Sequence, residues 1–167
     1  DNSRHRYVSR GGLKLEGALD NFAISVEGLL ALDIGASSGG FTDCLLQNGA
    51  KRVYTVDVGE SLLHESLRGD SRIVQMENTN ARYLTKEDFS EEIDGIVADV
   101  SFISLRLIFP VIQEILAENG SAFVLIKPQF ECEKKHIGKS GIVATSAHAE
   151  IVKKVLGYLT QNNLYPH

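Results

Sequence analysis

The run Leu30-Ala31-Leu32-Asp33-Ile34-Gly35-Ala36-Ser37-Ser38-Gly39-Gly40-Phe41 constrains the fold more than any other stretch of the chain. An apolar strand breaks there into a glycine-rich turn and re-enters a helix carrying Phe41, Cys44 and Leu45. Missing Cβ atoms let the backbone approach a ligand closely, and the helix that follows offers free N–H groups and a positive dipole end. Such a turn holds the adenosyl half of a cofactor. With 167 residues, the chain suffices for one domain with a real core and is short for two.

The remaining pattern extends this reading. Leu15, Ala18, Leu19 and Phe22 recur at helical spacing, which predicts a helix over residues 12–22. Residues 29–34, 53–58, 72–76, 93–100 and 122–126 read as five strands, and residues 61–68 have room for two helical turns. Asn48-Gly49 caps the helix after the glycine turn. Leu105, Ile108, Phe109, Ile112 and Leu116 define a helix ended by Asn119-Gly120, with Pro110 kinking it or marking its first turn. Residues 127–147 lapse into a polar loop whose length points to function. Ile151, Val152, Val155, Leu156 and Leu159 mark a last helix. The alternation predicts an α/β domain, a mostly parallel twisted sheet with helices on both faces. Both ends look cut: Asp1 begins without Met, and Leu164-Tyr165-Pro166-His167 reads as the entry to a further strand, so C-terminal strands are expected to be missing.

Composition removes several classes. A formal charge of −5 argues against a protein that coats nucleic acid indiscriminately, though not against a local basic face. Two distant cysteines and no leader-like segment point to a reducing, cytoplasmic setting. No apolar run approaches the roughly 20 residues that cross a bilayer. The five histidines lack metal-ligand spacing, so no metal is expected. Ser9, Ser101 and Ser104 sit in no nucleophile elbow.

Dinucleotide turns want G-x-G-x-x-G, and Ser37 takes the second glycine position. The turn fits a pyrophosphate poorly and suits S-adenosylmethionine, whose ribose and ammonium can meet Asp33 and the backbone. Gly35, Ala36, Ser37, Gly39, Gly40 and Phe41 are its expected wall. Asp57, ending the second strand with Val58 beside it, can accept the ribose hydroxyls, or be a solvated strand-end acid. Asn80, in Asn78-Thr79-Asn80, can meet the adenine edge. Asp99 ends the fourth strand and Lys127 the fifth, so neighbouring strands would bring acid and amine together at the cofactor's reactive end. Lys14 is either their companion or an ordinary surface lysine. Arg4, Arg6 and Arg10 crowd one segment and Lys134, Lys135 and Lys139 another, which suggests one face for polyanionic RNA. Solvated charge is the plainer reading. Tyr7 and Phe130 could stack on a base.

Five stretches carry a resemblance: Tyr7-Val8-Ser9-Arg10-Gly11-Gly12-Leu13-Lys14-Leu15, the glycine turn through Asp43, Val56-Asp57-Val58-Gly59, Asp99-Val100-Ser101-Phe102-Ile103-Ser104, and Ile126-Lys127-Pro128-Gln129-Phe130-Glu131. Together they resemble the FtsJ-like methyltransferase domain of the TlyA group, often labelled hemolysin A. The resemblance implies a class I methyltransferase, Rossmann-like fold over residues 1–167. It implies S-adenosylmethionine-dependent methylation of a ribose 2′-hydroxyl in ribosomal RNA. The family's catalytic set is Lys-Asp-Lys-Glu, and Lys14, Asp99 and Lys127 match its first three places. The Glu would lie beyond His167, since neither Glu131 nor Glu133 matches its position. The family also places an S4-type RNA-binding domain ahead of this one. On this reading Lys127 lies nearest the hydroxyl proton. It acts as a base if desolvation or Lys14 lowers its pKa, and as a charged positioning donor if Asp99 prevails. The partner is ribosomal RNA or a ribosomal subunit, with no membrane involved. A membrane-active hemolysin and a small-molecule methyltransferase are the alternatives.

Overall fold

The computed structural model of the protein describes residues 6–167. Its centre is a parallel sheet of five strands: β1 (Leu30–Ile34), β2 (Arg52–Val56), β3 (Ile73–Met76), β4 (Ile93–Ala98) and β5 (Leu116–Val124). Their order is β3-β2-β1-β4-β5. Side chains alternate across each strand, so each face builds its own core. Leu32, Ile34, Val56 and Ile96 pack with Ile108 and Ile112, on or just before α3 (Phe109–Ile115), and with Val155 of α5 (Thr145–Gln161). Ala31, Val53 and Val97 point the other way. They meet Leu15 and Leu19 of α1 (Gly11–Phe22) and Cys44 and Leu45 of α2 (Gly40–Gln47). A short helix, α4 (Pro128–Glu131), follows β5. Strand order reverses between β1 and β4, and ligands of open α/β sheets gather outside the strand ends at such a point.

Several predicted boundaries move. The second and fourth strands stop at Val56 and Ala98; Asp57 and Asp99 make a last backbone bond each, to the Met76 and Ile34 carbonyls at 3.2 Å, and the chain then leaves the sheet. Residues 61–68 form turns, not a helix: Ser61 has φ +55°, and the Arg68 guanidinium donates to the Ser61 and Leu63 carbonyls at 2.7 Å each. The predicted helix ending at Asn119-Gly120 instead splits into a 3-10 turn, Leu105–Leu107, and α3, with Pro110 in its first turn. Leu116 already pairs with Ile93, and the register slips before Gly95 meets Ser121. Gly120 permits this bulge, since a Cβ there would lie 2.8 Å from the Asp94 carbonyl oxygen. The expected loop after Lys127 contains α4, a 3-10 turn over Lys134–His136 and an antiparallel bridge between Ile137 and Val143.

Candidate active site

The glycine turn is pinned on two sides. Gly35 and Ala36 donate to the Val56 carbonyl at 2.9 and 3.1 Å, and Ser37 N–H donates to Asp57 Oδ2 at 2.8 Å. Gly35 has φ +76°, and a Cβ there would meet the Asp99 carbonyl oxygen at 2.8 Å. Glycine is therefore required twice, for conformation and for contact. The turn lies flush against the backbone that presents Asp99.

Beneath it sits Asp33, 1% exposed. Its Oδ2 accepts a hydrogen bond from Thr42 Oγ1 at 2.7 Å, whereas Oδ1 is buried without a partner. Burial raises its pKa from 3.8 to about 7; the Thr42 hydrogen bond lowers it, and the Asp99 and Asp57 charges add to the rise. A buried carboxylate oxygen with no donor is costly, and a ligand ammonium is a donor of the right kind.

At the tips of β4 and β5, Lys127 Nζ lies 2.6 Å from Asp99 Oδ1. That contact is close but poorly aligned as a hydrogen bond, since Asp99 Oδ1 has no partner of hydrogen-bond geometry. The aligned bond runs from Lys127 Nζ to Ser101 Oγ at 2.9 Å. The two side chains are 20% and 25% exposed, so the pair is partly shielded from water.

Lys14 reaches the same cleft from α1. The segment before that helix is strapped to α2: Val8 N–H donates to Asp43 Oδ2 at 2.8 Å, and Gln47 Nε2 to the Arg6 carbonyl at 2.9 Å. Gly40 makes the fit possible, because a Cβ there would be 2.1 Å from Ser9 Oγ. The cleft, about 250 Å³, is bordered by Lys14, Asp33, Gly35, Phe41, Asp99 and Lys127, with Ala36, Ser37 and Gly40 also on its wall. A smaller hollow shares Ala36 and Ser37 with it and continues to Asp57, Leu62, Leu63 and Met76.

Not every expected residue converges there. Gly39, φ +95°, lies under Leu63 and Leu67 and shapes the turn without lining the cleft. Val58 points outward, 69% exposed. Asn80 lines neither hollow, and its side chain accepts from Arg82 N–H at 3.0 Å to cap the 3-10 turn Ala81–Tyr83. Asp57 lines the smaller hollow, with its oxygens on the Ser37 and Gly59 N–H groups. Tyr7 cannot offer its ring to a base: it is 7% exposed and covers Gly12. Phe130 instead pairs with Phe102 at 5.1 Å between centroids. Among the basic residues, Arg10, Lys134 and Lys139 are exposed, Arg6 pairs with Glu16 at 2.8 Å and Lys135 with Glu133 at 2.7 Å. Arg4 lies outside the described residues. Sequence reasoning missed Thr42 and Ser101; Ser101 had the signal of a hydroxyl two positions after a candidate acid, and Thr42, nine positions after Asp33, had none.

A parallel sheet in this order, with a glycine turn after β1 and an acid closing β2, defines a Rossmann-like nucleoside-binding domain. The sequence matches the family model of FtsJ-like methyltransferases over residues 7–165, and the chain belongs to that family. It is 48% identical over 141 residues to the 16S/23S rRNA (cytidine-2′-O)-methyltransferase TlyA of Mycobacterium tuberculosis, covering 84% of this chain and 53% of that protein. A solved Streptococcus thermophilus protein bearing the hemolysin label is 48% identical with a TM-score of 0.92, over 97% of this chain and 59% of that one. At the level of fold alone, Aeropyrum pernix fibrillarin, solved with bound S-adenosyl-L-methionine, superposes with a TM-score of 0.65 at 19% identity, over 91% and 65% of the two chains. The chain spans about half the length of the curated relatives it matches.

Proposed function

We propose that this domain transfers a methyl group from S-adenosylmethionine to a ribose 2′-hydroxyl of ribosomal RNA, working in the cytoplasm on RNA or a ribosomal subunit. The observation carrying the proposal is the Lys127–Asp99 pair opening on the same cleft as Lys14, the glycine turn and the orphan Asp33 Oδ1. The cleft fits the cofactor's amino-acid end, because Asp33 Oδ1 lacks the donor that an ammonium supplies. Asp57 and the Leu62–Leu63 wall suit its ribose and base. Bound there, the cofactor supplies a sulfonium methyl to an attacking oxygen. Lys127, paired with Asp99, would donate toward the ribose oxygen and fix its lone pair, and the hydroxyl proton would pass to water as the O–CH3 bond forms and the methyl–sulfur bond breaks, so catalysis is chiefly positioning. Asp99 and Ser101 set the direction of the ammonium, and Lys14 adds a second cation beside a polyanionic substrate. Among the described residues no helix is long and apolar enough to cross a membrane. Nothing observed favours the hemolysin or small-molecule readings.

Replacing Lys127 tests the assignment. Lys127→Ala should cut transfer of labelled methyl groups into the 2′-oxygen by about a hundredfold or more. Calorimetric affinity for S-adenosylmethionine should stay within about threefold, since Lys127 serves the acceptor. Collapse of cofactor affinity with transfer intact would refute it.

A further inference from the structure

We propose that Glu131 is a positioning residue that holds the Lys127-bearing segment in register with the segment leaving Asp99. The inference rests on the reading above that Lys127 and Asp99 act in methyl transfer. Backbone pairing between β4 and β5 runs out with Leu125 N–H on the Ala98 carbonyl at 2.9 Å. Past that bond the Lys127–Asp99 contact depends on side chains. Glu131, 4% exposed, supplies the deepest of them.

A carboxylate buried this far is tolerated only with good donors, and Glu131 has two. Its Oε2 accepts from Ser104 Oγ and its Oε1 from Leu105 N–H, each at 2.7 Å. Ser104 Oγ also accepts from Arg106 N–H at 3.1 Å, so Glu131 completes the cap of the 3-10 turn that leads into α3. From the other side, Lys154 Nζ on α5 donates to the Glu131 carbonyl at 3.0 Å. Glu131 thereby joins α4, the turn after β4, and α5.

The geometry closes a ring. Lys127 caps α4 at one end and Glu131 ends it at the other, a single helical turn apart. Lys127 reaches Asp99 and Ser101, Glu131 reaches Ser104 and Leu105, and Phe130 packs on Phe102 between them. Phe102 has φ +62° and is 91% exposed. A bulky residue in that conformation persists only when its surroundings over-determine it. The latch at Glu131 supplies that constraint, and its release would let the Lys127 ammonium drift relative to Asp99.

The test uses the full-length protein, with Glu131→Ala, Glu131→Gln and Ser104→Ala compared under saturating S-adenosylmethionine and ribosomal RNA. Glu131→Ala should lower kcat about a hundredfold, since a misplacement of about 1 Å costs that much. Its affinity for S-adenosylmethionine should stay within about threefold of wild type. Glu131→Gln should recover most of kcat, because its carbonyl can still accept from Leu105 and its amide can donate to Ser104. Ser104→Ala should fall between them. An active wild type with kcat unchanged in Glu131→Ala would overturn the latch. So would parallel loss of cofactor affinity and kcat in Glu131→Gln and Ser104→Ala, the mark of a merely structural residue. If Glu131→Ala does not fold, those two milder variants decide by the same criteria. An inactive wild type would instead overturn the methyl-transfer reading itself.

Discussion

Burial lifts the Asp33 carboxyl from 3.8 to about 7, and this one residue gives the domain a pH signature. Folded Asp33 holds its proton more tightly than the unfolded chain does. The stability it confers is complete below about pH 4 and is lost as pH rises through 7, by at most about 4 kcal/mol. The melting temperature should therefore fall between about pH 4 and 7, and Asp33→Asn should flatten most of that slope. An ammonium placed at Oδ1 acts in the opposite sense and expels the proton. Calorimetry of S-adenosylmethionine binding near pH 7, in buffers of different ionisation enthalpy, should then report proton release. Uptake, or no exchange, would remove the ammonium from Asp33. The residue itself was legible in the sequence because it ends an apolar strand just before a glycine turn. Its solitary oxygen was not, since that depends on which lone pair Thr42, nine positions later, satisfies.

Elements were legible where a period or a cap was strong, and failed where tertiary contacts overrode the pattern. The helix after the glycine turn and its Asn48 cap follow from spacing alone. The helix expected through Leu116 stops at Ile115, because Leu116 matches an apolar helical face and equally well a strand residue opposite Ile93. Asn80 caps a 3-10 turn, a role that uses the same polar side chain after a strand as the expected contact with the adenine edge. The strap from residues 6–8 to α2 had no sequence signal, yet it steadies the helix carrying Lys14. Asp43, 9% exposed, is its centre. Asp43→Ala should raise amide exchange at Val8 and along the first turn of α1 by about tenfold, for roughly one lost charge-assisted hydrogen bond. Protection at Leu32 and Ile34 should be unchanged. Exchange that rises equally in β1 would mean general destabilisation.

At the scale of the molecule, an overall charge of −5 coexists with exposed Arg10, Lys134 and Lys139. If these bind phosphates, the logarithm of RNA affinity should fall linearly with the logarithm of salt concentration. Replacing Lys134 and Lys139 together by Ala should shallow that slope by roughly one to two, with S-adenosylmethionine affinity unaffected. An unchanged slope would place the phosphate contacts elsewhere. The order of assembly follows from the Val8–Asp43 bond. Within this domain α1 has nowhere to dock until β1 and α2, about thirty residues later, have been synthesised and paired. Closing that long loop costs entropy before any contact rewards it, so the wall bearing Lys14 is completed late in folding. A nascent chain halted near residue 40 would carry the lysine and still lack the surface that seats it.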